Sequence, residues 1–208
     1  MSRSEKVVVL LPAVCVAIDY RTGRTRLHTG RPDALPADAV VVDHQEEAPS
    51  WGTTEVSAVL MPSPTAPWAW RLIALPALLA TAAAGAAGPR SGKFHRLIRL
   101  ACAGRSLPEA GELEVRNAVR AVRWASRAMP ARWACLEQST AAALLLAAIG
   151  RRAEWRHGVA GDPVRLHAWI VDQQGRSVEE PPDTALYGVT YTPDGPGPAR
   201  RGRGRSTT

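Results

Sequence analysis

The stretch 132-RWACLEQSTAAALLLAAIG-150 decides how the chain is read. Cys135 stands where a run of helix formers begins, and every side chain from Ala141 to Ile149 is apolar. The segment therefore reads as a buried helix that starts at the cysteine and stops at Gly150, beside Arg151 and Arg152. A thiol in the first turn of a helix feels the positive end of the macrodipole and unpaired backbone N–H groups, both of which favour the thiolate. The same N–H groups can hold an oxyanion. A free cysteine is in itself only a small hydrophobe, so its chemistry depends on the partners that the rest of the chain supplies.

After Gly150 the period of the pattern changes from 3.6 to 2. The runs 153-AEWRHGVAG-161, 164-VRLHAWIVDQQ-174 and 176-RSVEEPP-182 read as three consecutive strands, with turns at "GDP" and "QQG". A helix followed by antiparallel strands is an α+β signature. His157 and His167 are the imidazoles available to the thiolate. His167 comes 32 residues after Cys135, alternates with apolar neighbours and shares a face with Trp169, whose indole can shield it from water. An imidazole needs an acceptor to set its tautomer, and Glu179 and Glu180 arrive 12 and 13 residues later. With Val178 packed inward, period 2 points Glu180 inward as well and leaves Glu179 on a solvated face. Asp172 is a third candidate. A zinc site built from Cys135, His157 and His167 lacks a close-spaced ligand pair, so neither metal nor cofactor is expected.

Together, "WACLEQS", "HGVAGDPVRLHAWIV" and "GRSVEEPPDT" resemble the transglutaminase-like cysteine peptidases of lasso-peptide biosynthesis, the B proteins of those clusters. The likeness spans residues 97 to 193. It implies a papain-related fold and cleavage of a leader from a ribosomally made precursor peptide, with the core passed to an asparagine-synthetase-like cyclase. Position by position, it makes Cys135 the nucleophile, His167 the general base and Glu180 the acidic third member, a place often held by aspartate. The glutamate and an extra residue in "DQQG" depart from the pattern, so Glu179 and Glu180 both stay open. No glutamine lies upstream of Cys135 at a papain-like spacing, and the second oxyanion donor is unassigned.

Working outward, "LPEAGELEVRNAVRAVRWASRAMP" reads as an amphipathic helix with Val115, Val119, Val122, Ala125 and Met129 on one face. Arg116, Arg120, Arg123 and Arg127 form a stripe on another, read as solvated. Further back, Lys93 to Ala103 reads as a short helix with Cys102 on its apolar side, and a helical pattern from Ala66 is expected to break at Pro76 and again at "AAGPRSG". The uncharged run from 72 to 88 is poor in strongly apolar residues and is not expected to span a membrane. The opening reads as a hairpin, Val14 to Tyr20 and Arg24 to Thr29, plus a strand at Ala39 to Asp43. A stretch loaded with Pro, Ser and Thr from Glu46 to Pro67 marks a boundary. The expected organisation is a small β-rich module at 1–65, a peptidase domain at 66–193 and a disordered basic tail at 194–208. The module is read as either a leader-recognition element, which would add the leader as a strand, or a structural cap. With a cap, leader recognition falls to a separate partner protein.

Charge and cysteine usage narrow the classes. Four of the arginines behind the net charge of +7 lie in the last nine residues, so the body carries only +3 and no nucleic-acid groove is indicated. Three cysteines without paired spacing fit a reduced, cytoplasmic protein rather than a disulfide framework. Besides leader hydrolysis, the pattern admits transglutaminase-type amide transfer and a non-catalytic scaffold that escorts a precursor. The triad-like residues speak against the scaffold.

Overall fold

In a computed structural model the protein is described over residues 5–31, 35–44, 64–129, 133–161 and 163–198. The β-branched opening forms strand β1 (Lys6–Leu10), followed by the hairpin β2 (Val14–Asp19) and β3 (Arg24–Thr29) and by β4 (Val40–Asp43). Their order is β3-β2-β1-β4, with β1 antiparallel to β2 and parallel to β4. Asp19 shapes the hairpin turn by accepting from the Arg21 N–H at 2.9 Å and the Thr22 hydroxyl at 2.8 Å. The stretch read as a boundary lies, over residues 45–63, outside the described residues.

Four helices come next: α1 (Trp68–Ala86), α2 (Lys93–Ala101), α3 (Glu112–Ser126) and α4 (Cys135–Ala148). Helix α4 contacts all three others and also the second sheet, which is why a run of alanine and leucine with no polar face suits it. Gly150 ends it with φ 76°, as its sequence position suggests. The expected break at Pro76 does not occur. Pro76 lies on the exposed side of α1, where water can bond the carbonyl its missing N–H leaves free, so the helix runs through it. This helix is long and apolar enough to cross a bilayer by length and composition, yet Ala74, Ala77, Leu78 and Thr81 are buried in the core.

The second sheet contains β5 (Glu154–Ala160), β6 (Arg165–Val171), β7 (Gly188–Thr192) and β8 (Gly195–Pro196), all antiparallel, in the order β6-β5-β7-β8. Trp155 is fully buried and its indole N–H donates to Ser139 Oγ at 2.9 Å, tying β5 to α4. The third strand expected at "RSVEEPP" is absent. Only Ser177 bridges to Val171, after which Glu179 turns left-handed at φ 58° and two prolines cannot extend a ladder. The last strand partner is instead β7, reached through a 3-10 turn at Pro182–Leu186. The segment read as a tail from residue 194 begins within this sheet, because β8 pairs with β7, and residues 199–208 lie outside the described residues.

One hydrophobic core runs from Val7, Val9, Val16 and Ile18 through the helices to Trp155 and Ile170. Tyr20 joins the two sheets. Its hydroxyl lies 2.7 Å from His157 Nδ1 and 2.6 Å from Thr190 Oγ1. His44, just past β4, donates from Nε2 to the Leu186 carbonyl at 3.0 Å and lays its ring on Gly188, where a Cβ would sit 2.7 Å from the ring. The expected α+β architecture, helices followed by an antiparallel sheet with a β-rich N-terminal part, is the one observed.

Candidate active site

Cys135 is the first residue of α4, and no side chain caps that helix start. The backbone N–H groups of Ala168 on β6 and of Leu136 in the first turn of α4 both favour the ionised sulfur. The His167 side chain lines the same cleft as Cys135 and favours the ionised form of that sulfur. Since His167 Nε2 lies 2.9 Å from Glu180 Oε2, Nδ1 is the ring nitrogen left for the thiol. The three residues thus line one cleft, with the imidazole in contact with the carboxylate.

The imidazole meets two aromatic rings that also contact each other. Trp169 stacks on it at 5.7 Å between centroids and 10° between planes, and the Tyr187 ring lies 5.2 Å away. Gly158, opposite His167 on β5, makes room for this stack, because a Cβ there would stand 2.8 Å from the Trp169 indole and 2.7 Å from the Gly188 carbonyl. Cys135, His167, Glu180 and Tyr187 open onto a cleft of about 470 Å³, also lined by Arg123, Trp133, Gln138 and Thr184. Gln138 Nε2 donates to Ser126 Oγ at 3.2 Å, and the shielded indole N–H of Trp133 has no partner among the described residues.

The electrostatics favour a charged pair. Burial pushes the Cys135 thiol up, but the His167 hydrogen bond, the Ala168 and Leu136 N–H groups and the His167 charge outweigh it and hold the thiol below its ordinary value. Burial opposes the imidazolium, yet hydrogen bonds and charge from Cys135 and Glu180 raise His167 to about 9. Both shifts act in the direction that favours a thiolate beside an imidazolium. Burial alone raises Cys15, and it pushes Cys102 up to about 12, so neither of those thiols ionises readily.

The remaining candidates are elsewhere. His157 pairs with Ala168, one residue out of step with His167, and so lies on the other face of the sheet. Burial, aided by the His167 charge, holds it neutral at about 3 against Tyr20 and Thr190. Asp172 closes the "DQQG" turn, accepting from the Gln174 and Arg176 N–H groups and from Arg176 Nε. Among the described residues no group of three or more His, Cys, Asp or Glu could hold a metal ion.

Two readings of the sequence are corrected by this geometry. Glu179 does not sit on a solvated strand end: its side chain is 11% exposed and accepts from Arg120 Nη2 at 2.8 Å. The arginine stripe of α3 is not simply solvated, since Arg120 and Arg123 reach the two glutamates. Arg123 Nη2 donates to Glu180 Oε1 at 2.6 Å and Nη1 donates to the Glu179 carbonyl. The available signal was two adjacent acids facing a helix with arginines three apart, a pairing that no local periodicity states.

Residues 66–192, more than half of the chain, match the family model of the transglutaminase-like superfamily. Neither a curated protein nor a solved structure matches the chain. The matched span contains α1 through β7, with Cys135, His167 and Glu180 inside it, and agrees with the family resemblance drawn from the motifs. On the strength of that match, this chain belongs to the transglutaminase-like superfamily.

Proposed function

We propose that the protein is a cysteine peptidase that cuts the leader from a ribosomally made lasso-peptide precursor. The observation that supports this reading is the gathering of Cys135, His167 and Glu180 at the wall of one open cleft, with His167 Nε2 2.9 Å from Glu180 Oε2. The Cys135 thiolate attacks the carbonyl carbon of the scissile bond, and the negative charge that develops on oxygen faces the uncapped N-terminus of α4. His167 gives its proton to the leaving amine, which departs with the core peptide, and the leader stays on the sulfur as a thioester. Water, losing a proton to His167, then attacks the thioester and releases the leader as a carboxylate, restoring the thiolate–imidazolium pair. Glu180 remains ionised and holds the ring in register throughout.

The freed core goes to an asparagine-synthetase-like cyclase, and the leader is gripped either by the N-terminal sheet or by a separate recognition protein. Three unpaired cysteines suit a reducing, cytoplasmic setting. Superfamily membership also supports amide transfer, in which an amine replaces water in the second half-reaction. The test incubates the protein with the precursor encoded beside its gene, with and without excess primary amine, and weighs the products. Hydrolysis gives two fragments whose masses sum to the precursor plus one water. A leader carrying the amine as an amide supports transfer, and an intact precursor bound without reaction supports a scaffold.

A further inference from the structure

No strand ladder of the second sheet extends to Glu180. Ladder pairing stops at Ser177, Glu179 takes a left-handed conformation (φ 58°) disfavoured for a residue with a side chain, and Pro181 follows Glu180 at φ −61°. The turn is held from the other side, by α3. Arg123 spans it, donating through Nη2 to Glu180 Oε1 at 2.6 Å and through Nη1 to the Glu179 carbonyl, while Arg120 binds the Glu179 carboxylate. The Glu180 carboxylate is therefore shared. One oxygen is fixed by α3, and the other meets His167 Nε2 at 2.9 Å. The Glu180 side chain is 8% exposed and that of Arg123 is 22%, so the pair is largely withdrawn from competing water.

We propose that Arg123 is a positioning residue of this site: by gripping Glu180 Oε1 and the Glu179 carbonyl together, it fastens the left-handed turn to α3 and sets the carboxylate that orients His167. The inference rests on reading Cys135, His167 and Glu180 as a triad. Arg123 also borders the cleft, but with Nη1 and Nη2 both engaged it acts through Glu180 and not on the peptide. A lysine cannot replace it fully, because a single ammonium lacks the fork that meets a carboxylate and a carbonyl at once.

The test reads the imidazolium without any peptide substrate. Iodoacetate alkylates a thiolate, and its own carboxylate is drawn by a neighbouring imidazolium, so the rate at Cys135 rises as the thiol ionises and falls as His167 loses its proton. The groups facing His167 are Cys135 from α4, Glu180 from the loop after β6 and Tyr187 just past the 3-10 turn, with His157 of β5 acting through the sheet. In the full chain the falling limb should lie near 9, where the pair loses its proton. Arg123→Met should move that limb down by about one pH unit, because a loosened Glu180 no longer supports the imidazolium. Glu180→Gln should move it in the same direction, and the double variant should match Glu180→Gln alone. Arg123→Lys, which keeps the charge and the fold should Arg123→Met fail to fold, should give a smaller shift of the same sign. An unchanged or raised limb in a folded Arg123 variant overturns the proposal, as does a further shift in the double variant. Absence of the falling limb in the unsubstituted protein removes the triad reading, and the proposal with it.

Discussion

Deleting residues 1–65 takes away Val7, Val9, Val16, Ile18 and Tyr20, each at most 1% exposed and all part of the core that contains α4 and Trp155. At about 1.5 to 3 kcal/mol for each buried side chain, the loss is on the order of 10 kcal/mol. That is comparable to the roughly 5 to 15 kcal/mol that holds a whole domain folded. The deletion also strips His157 Nδ1 and Thr190 Oγ1 of the Tyr20 hydroxyl and uncovers Gly188 where His44 had lain. A chain of residues 66–208 should therefore show no cooperative transition in guanidinium chloride when followed by tryptophan fluorescence and far-ultraviolet circular dichroism. Tyr20→Phe, a gentler change, should lower stability by about 1 to 3 kcal/mol. A fragment 66–208 that unfolds cooperatively within about 2 kcal/mol of the full chain would refute the shared-core reasoning and make residues 1–65 a separable module. If the fragment fails as expected, any grip on a leader must be probed by substitutions at the edge of the first sheet in the intact protein, read in KM.

Iodoacetamide at neutral pH should label Cys135 well before Cys15 or Cys102, since only the Cys135 thiol is held below its ordinary value; peptide mapping by mass spectrometry checks the order. Glu180→Gln should lower kcat by about a hundredfold or more with little change in KM, through loss of the anionic acceptor for His167. Glu179→Gln should leave kcat near that of the parent yet reduce stability by about 1 to 3 kcal/mol, because Arg120 loses its carboxylate; denaturant titration separates the two effects. In Gly158→Ala the new Cβ would stand 2.7 Å from a backbone oxygen that cannot yield and 2.8 Å from the Trp169 ring. About 1 to 3 kcal/mol of destabilisation should result, with a shift in indole fluorescence as the ring is displaced from His167.

The parts of this site legible in the sequence are those written in local periodicity. The helix start at Cys135, the alternation placing His167 beside Trp169 and the stop at Gly150 each depend on residues a few positions apart, and all three appear in the structure. Period 2 favours Glu180 over Glu179, and Glu180 does meet His167, but not because a strand continues there. Val178 is buried as the pattern requires, after which the chain turns at Glu179 and Glu180 is held by Arg123, 57 residues earlier. A helical stripe of arginines looks solvated when read alone, and only the fold brings it to the glutamates. The same holds for Tyr20, whose partners His157 and Thr190 lie 137 and 170 residues away. Pro76 misleads in the opposite direction, since a proline breaks a helix only where its lost hydrogen bond cannot be replaced, and on an exposed face water replaces it.

The central claim is that Cys135 carries the leader as a thioester between cleavage and release. Mixing the protein with its precursor, quenching in acid at short times and weighing the intact protein should reveal a species heavier by the leader acyl group in place of the thiol hydrogen. That mass gain equals the released leader acid less one water; digestion should place the adduct on Cys135, and the Cys135→Ala protein should neither form it nor cut the precursor. Cleavage that persists in Cys135→Ala would contradict the account.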